Sequence, residues 1–186
     1  MVYVIFGNGF EEMEALAPVD LLRRAGVEVV TVGIGSREIT GSNGAVVKTD
    51  ITDDMMVKEG LEMIVLPGGL GGTSEIMKSE RVKAMVQYAY DSGAYVCAIC
   101  AAPTVLGSMG LLKGKKATCY PGHEEKLAGA EVMDADVVRD GKIITARAAA
   151  LSIPFALRLV EAVRGTEAAT MVRNKICYTE NVKEVL

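Results

Sequence analysis

Residues 2–6, 61–66 and 94–99 are strand-length apolar runs, broken only by Glu62, and each stops abruptly at a turn of glycine or other small residues. A strand that is apolar at every position must be covered on both faces, which a parallel sheet flanked by helices provides. The intervening segments supply those helices. Helical periodicity runs over residues 11–25, closed by Gly26, and returns over 73–92, 102–109, 151–164 and 166–175, the last two separated by Gly165. Residues 27–32 form another β-rich run, 117–120 a candidate fifth strand, and 36–48 a small hairpin carrying Gly41 and Gly44. Asp140-Gly141 is a two-residue turn signal between runs 132–138 and 142–146, a second hairpin. Strands alternating with helices predict an α/β fold with a mainly parallel sheet between two helical layers.

With 186 residues and about 50% apolar composition, the chain can bury roughly 70% of its unfolded surface in one core. A single domain over residues 1–186 is expected, since neither linker nor repeat interrupts it. The four cysteines are expected to be reduced thiols, because a chain of this size needs no staple and opens without a signal peptide. No run approaches the ~20 apolar residues of a membrane span, so a cytoplasmic location without membrane attachment is expected. The formal charge of −4 is scattered, and three Phe, six Tyr and no Trp leave no basic, aromatic-laced patch for nucleic acid.

In an open parallel sheet, ligands bind beyond the carboxyl ends of the strands. Three segments fall there: Gly7-Asn8-Gly9-Phe10-Glu11-Glu12-Met13-Glu14, Pro67-Gly68-Gly69-Leu70-Gly71-Gly72, and Ile99-Cys100-Ala101-Ala102. The third has the pattern of a nucleophile elbow, a sharp strand-to-helix turn with small neighbours. A thiol at a helix N-terminus is favoured as thiolate by the dipole and free N–H groups. The competing reading of Cys100 is a packed small hydrophobe. Cys97 and Cys100 also form a Cys-x-x-Cys pair, but Cys97 falls inside the strand rather than in the loop of a redox pair. Zinc would need ligands beyond the lone His123, so no metal is expected. Cys97, Cys119 and Cys177 read as packing residues.

The Gly68-Gly69 loop lets backbone N–H groups approach a ligand and could form an oxyanion hole with the N–H of Ala101. It lacks the Lys-Ser/Thr of a phosphate loop, and Gly7-Asn8-Gly9 lacks the third glycine of a dinucleotide fingerprint. Glu11, Glu12 and Glu14 suit the first turn of a helix electrostatically. Pro18 cannot donate to the carbonyl of Glu14, so a start or kink is expected near it. A Glu14 carboxyl turned toward the sheet edge would be desolvated, its pKa raised, and able to share a proton with Cys100.

Four stretches together resemble a known family: residues 9–20 (Gly-Phe-Glu-Glu-Met-Glu-Ala-Leu-Ala-Pro-Val-Asp), 23–26 (Arg-Arg-Ala-Gly), 65–69 (Val-Leu-Pro-Gly-Gly) and 98–104 (Ala-Ile-Cys-Ala-Ala-Pro-Thr). They look like the ThiJ/PfpI family, in the branch that contains the Parkinsonism-associated deglycase. The likeness runs from residue 2 to about residue 173. It implies a flavodoxin-like three-layer sandwich with a nucleophile elbow, usually a homodimer. It also implies Cys100 as nucleophile, Glu14 as its acid/base partner, and Gly69 and Ala101 as backbone donors.

The activity implied is that of a cofactor-free glyoxalase or deglycase, taking methylglyoxal or early glycation adducts of proteins and nucleotides. An oxidative-stress sensor or chaperone with an oxidisable cysteine is the alternative. Three departures from the family pattern bear on this. Relatives with protease activity carry His immediately after the nucleophile, where this chain has Ala101, which argues against peptide hydrolysis. A histidine common near the site is replaced by Tyr120, with His123 three residues on. The stretch that usually reads Ser-Arg-Gly-Pro-Gly-Thr is Ala146-Arg147-Ala148-Ala149-Ala150-Leu151, so the pocket that Glu11, Gly68, Tyr120, His123 and Arg147 would line is expected to differ in shape.

Overall fold

The computed structural model describes residues 1–179 and the backbone of residues 184–185. Strand β1 (Val2–Phe6) leads into helix α1 (Glu12–Arg24), then β2 (Val29–Gly33), the hairpin β3 (Glu38–Thr40) and β4 (Val46–Lys48), and the short β5 (Ile51–Thr52). Strand β6 (Met63–Leu66) precedes α2 (Leu70–Lys78) and α3 (Glu80–Asp91), and β7 (Tyr95–Ile99) precedes α4 (Pro103–Ser108). The remainder is β8 (Lys116–Ala117), β9 (Glu131–Val132), the hairpin β10 (Val137–Asp140) and β11 (Ile143–Ala146), α5 (Ser152–Lys175) and β12 (Glu184–Val185). Eight strands form one sheet in the order β12-β10-β11-β7-β6-β1-β2-β5. Every neighbouring pair is parallel except β10 with β11.

Alternation along the central strands assigns each side chain to a face. Val2, Val4 and Phe6 with Met63, Val65, Cys97 and Ile99 pack against α1 and α5 through Leu21, Leu22, Phe155 and Leu159. Tyr3, Ile5, Ile64, Leu66, Val96 and Ala98 pack on the other face against α2, α3 and α4 through Ile76, Val82, Val86, Val105 and Leu106. Two buried faces explain why these strands read as continuous apolar runs. The flavodoxin-like sandwich is therefore present, with the carboxyl ends of β1, β6 and β7 side by side.

Several boundaries differ from the sequence reading. The helical stretch 73–92 is two helices, divided where Ser79 takes an extended conformation (φ −77°, ψ 104°) and caps α3 by accepting from Val82 N at 3.2 Å. Ser79→Ala is expected to cost about 1 kcal/mol, seen as a fall of about 2–4 °C in the thermal midpoint; an unchanged midpoint would refute the cap. Residues 117–120 do not add a strand to the main sheet, and β8 pairs only with β9. The segment instead crosses the sheet edge, Thr118 N donating to Thr145 Oγ1 at 3.0 Å and Tyr120 N to Cys100 O at 2.8 Å. Helix α1 starts at Glu12 and continues past Pro18. In α5 Gly165 leaves helical geometry (φ 85°, ψ 169°), the break its glycine signalled. No helix among the described residues is long and apolar enough to cross a membrane.

Candidate active site

Cys100 follows the last residue of β7 with φ +64°, one of two non-glycine residues at positive φ among the described residues. An L-residue pays about 1–2 kcal/mol for that conformation, so the surroundings must hold it. Cys100 N donates to Ala146 O at 2.9 Å, and Cys100 O accepts from Tyr120 N at 2.8 Å. Ala101 and Ala102 are buried, leaving no room for larger side chains in the turn. Thr104 Oγ1 donates to Ala101 O at 2.7 Å and pins the first turn of α4.

The three neighbouring glutamates do three different things. Glu11 caps α1, its Oε2 accepting from Glu14 N at 2.8 Å, while its own N–H donates to Gly68 O at 3.1 Å. Glu12 clasps the tip of the β3–β4 hairpin, accepting from Asn43 N at 2.7 Å, Asn43 Nδ2 at 3.0 Å and Ser42 Oγ at 3.1 Å. Against the opposing pull of partial burial, the side-chain and backbone donors of Asn43 hold its pKa at about 2. Glu14 is 0% exposed and points into the sheet edge, Oε2 accepting from Gly68 N at 2.8 Å. Its Oε1 is buried without a hydrogen-bond partner of ordinary geometry, and the Cys100 thiol is the side chain that interacts with the carboxyl.

Burial lifts the Glu14 pKa to about 7, the interaction with Cys100 opposing it and the charge of Glu11 adding to it. Burial also pushes the Cys100 thiol up, to about 12, reinforced by the charge and hydrogen bond of Glu14 and opposed by N–H groups of Gly69 and Ala101 directed at the sulfur. This corrects the expectation of a thiolate favoured by a helix terminus. Helix α4 is six residues long and begins three residues beyond Cys100, and the largest influence on the thiol is burial, which raises its pKa. The arrangement sets a thiol whose pKa burial raises beside a carboxyl whose pKa burial also raises, with the two side chains in contact, a geometry suited to proton transfer between them.

Gly68 and Gly69 have no substitutes here. A Cβ on Gly68 would lie 2.5 Å from Glu14 Oε2 and 2.7 Å from Cys100 Cβ, and one on Gly69 (φ +81°) 2.4 Å from Gly9 O. Of the N–H groups around the elbow, that of Gly68 is engaged by Glu14, while those of Gly69 and Ala101, the two expected backbone donors, point to the sulfur.

Tyr120 is 46% exposed and meets His123 edge-to-face at 6.0 Å between ring centroids. His123 is half-buried rather than merely exposed, and lines a cavity of about 520 Å³ together with Ala101. Arg147 does not join it. Its guanidinium pairs with Asp134 and lines a different cavity, of about 390 Å³, with Cys119. The Arg147 backbone N–H donates to Asp136 O at 3.0 Å, beside the β10–β11 hairpin. The glycine-free stretch forms a 3-10 turn over Ala149–Leu151 after an extended Ala148, with no positive φ to accommodate. Cys97 and Cys119 are buried packing residues, whereas Cys177 is exposed, contrary to its reading as packing. Among the described residues no cluster of His, Cys, Asp and Glu could hold a metal ion. Sequence reading missed Thr73, Lys78 and Lys126, which share the His123 cavity with Thr104; they carry no motif, and only packing gathers them.

The pattern of the DJ-1/PfpI family matches residues 1–162. Protein dj-1beta of Drosophila melanogaster is 34% identical over 181 residues, covering 96% of this chain and 97% of the relative. Deglycase PH1704 of Pyrococcus horikoshii is 34% identical over 148 residues, covering 78% of this chain and 89% of the relative. The solved structure of oxidized Toxoplasma gondii DJ-1 superposes with a TM-score of 0.92 at 32% identity, covering 96% of this chain and 98% of that one. With the elbow, the glycine pair and the buried glutamate assembled at one sheet edge, and similarity extending over nearly its full length, this chain belongs to the DJ-1/PfpI family.

Proposed function

We propose that this protein is a cofactor-free glyoxalase or deglycase that uses Cys100 as nucleophile and acts on methylglyoxal or early glycation adducts. The observation that supports this most is the buried Glu14 carboxyl, with a pKa of about 7, beside a thiol held in an elbow. The deglycase name of a 34%-identical relative agrees with it. In the forward reaction ionised Glu14 takes the thiol proton as sulfur attacks the aldehyde carbon and returns it to the aldehyde oxygen, which forms a hemithioacetal and leaves the carboxyl ionised again. Glu14 then carries the hydrogen of that carbon, as a proton, to the neighbouring carbonyl carbon through an enediol. The product is a lactoyl thioester on Cys100. Water cleaves it, releasing lactate and restoring the thiol.

Methylglyoxal turnover, followed as lactate formed, tests the reading. Cys100→Ser is expected to reduce it at least about 100-fold, because the serine hydroxyl is a far weaker nucleophile at this pH; lactate formation at the wild-type rate would rule the mechanism out.

The N–H groups of Gly69 and Ala101 at the sulfur favour a second reading, a peroxide sensor. Two successive peroxides would each transfer one oxygen to sulfur and leave as water, giving a sulfinate. Its negative charge would raise the Glu14 pKa further and keep the acid as a hydrogen-bond donor. A gain of two oxygens by intact mass at low peroxide, without methylglyoxal turnover, would favour the sensor.

A further inference from the structure

A three-carbon dicarbonyl leaves most of the space beside the elbow unused. Between α2 and α4 the cavity of about 520 Å³ is lined by Ala101, one residue beyond Cys100, by Thr73, Ser74 and Thr104, and by Lys78 and Lys126. That volume is in the range of pockets that enclose whole ligands, about 300–1,000 Å³. Its chemistry is one-sided. No Asp or Glu lines it among the described residues. Lys126 has no carboxylate partner among the described residues, and Lys78 has only a loose one, Glu75 at 3.7 Å.

Thr73 supplies the second observation. It is 7% exposed, and its Oγ1 is buried without a hydrogen-bond partner among the described residues. Buried hydroxyls are ordinarily satisfied. Threonine in a helix has two accessible χ1 rotamers, so rotation can exchange methyl for hydroxyl at the cavity wall.

We propose that this cavity is a second subsite of the same centre, taking the carboxylate-terminated chain of a carbonyl substrate longer than methylglyoxal. The ammonium groups of Lys78 and Lys126 attract the anion, and Thr73 donates a hydrogen bond to the chain. Two flexible ammoniums and one hydroxyl suit a carboxylate end. The lining includes no arginine fork of the kind that grips a phosphate in two places. The inference rests on Cys100 being the reacting group, since that is what places the carbonyl end of the substrate.

Glutarate titrated into isotope-labelled protein tests this by amide chemical shifts, on Cys100→Ser as well as wild type so that turnover plays no part. Saturable shifts are expected at Thr73, Ser74 and Ser108. The double variant Lys78→Gln/Lys126→Gln is expected to weaken binding about fivefold, the size of two exposed charge pairs. No saturable shift, equal binding by the double variant, equal binding of neutral 1,5-pentanediol, or a preference for inorganic phosphate would each overturn the proposal. Thr73→Val, nearly isosteric, is expected to weaken glutarate binding while the thermal midpoint holds or rises; a lower midpoint with unchanged binding would overturn the role of the hydroxyl. Glutarate binding without methylglyoxal turnover would leave the subsite standing and remove the glyoxalase reading, and the converse would do the reverse.

Discussion

Glu14→Gln is expected to lower kcat/KM for methylglyoxal by about 10²–10⁴ and, above pH 7, to give a protein more stable than wild type. The amide keeps the shape of the carboxyl, and its oxygen can still accept from Gly68 N–H, held at 2.8 Å in the parent. What it loses is the ability to take the Cys100 proton. The stability effect follows from the same burial that raises the Glu14 pKa. Its pKa is about 7 in the fold against an ordinary 4.5. Between these values the native state retains a proton that the unfolded chain releases, so stability falls as pH rises through that window. Above it the loss amounts to about 3 kcal/mol, and glutamine is exempt. The variant should therefore melt several degrees above wild type at pH 8 and level with it at pH 4. The wild-type rate should climb with pH to a plateau beyond about 7, as the carboxyl ionises. A flat pH–rate profile, or equal melting at pH 8, would mean that Glu14 is not the group whose ionisation matters.

Gly69→Ala is expected to cost on the order of 3 kcal/mol or more, combining backbone strain with overpacking. Gly69 sits at φ +81°, ψ 132°, a conformation closed to alanine, and its new Cβ would meet Gly9 O at 2.4 Å, Glu11 N at 2.6 Å and Phe10 C at 2.8 Å. All three are backbone atoms that cannot swing aside as a side-chain end could. Relief requires shifting the loop that carries the Glu11 cap, and with it the start of α1 and Glu14. The thermal midpoint should drop by about 6 °C or more, and the Gly69 N–H should leave the sulfur, slowing alkylation of Cys100 by iodoacetamide. A midpoint within about 2 °C of wild type would show that the loop yields more easily than these contacts imply.

The main sheet and the elbow were legible in the sequence because their causes are local. Strands buried on both faces must be apolar throughout, and the runs at residues 2–6 and 94–99 are. The turn after Ile99 is flanked by alanines because larger residues would not fit it. Gly26 and Gly165 punctuate helices by their own backbone freedom. Ser79 was less visible. A single serine between two helical periods in register does not reveal whether the helix continues, and its capping bond to Val82 N decides that it stops.

The chain by itself therefore determined the layered α/β fold, the three loops at one sheet edge, and Cys100 in the tightest of them, since each depends on periodicity, residue size or glycine geometry within a few positions. The family resemblance points to Glu14 as the partner of the thiol, while tertiary structure alone decided what separates it from its two acidic neighbours. Glu11, Glu12 and Glu14 have the same chemistry, but one caps a helix, one clasps a hairpin and one is buried at Gly68 and Cys100. Folding likewise sent Arg147 to Asp134 and drew Thr73, Lys78 and Lys126 into the cavity beside Ala101. Burial and partnership are properties of contacts between distant segments, and they bring one carboxyl of three against the Cys100 thiol and shift the pKa of both.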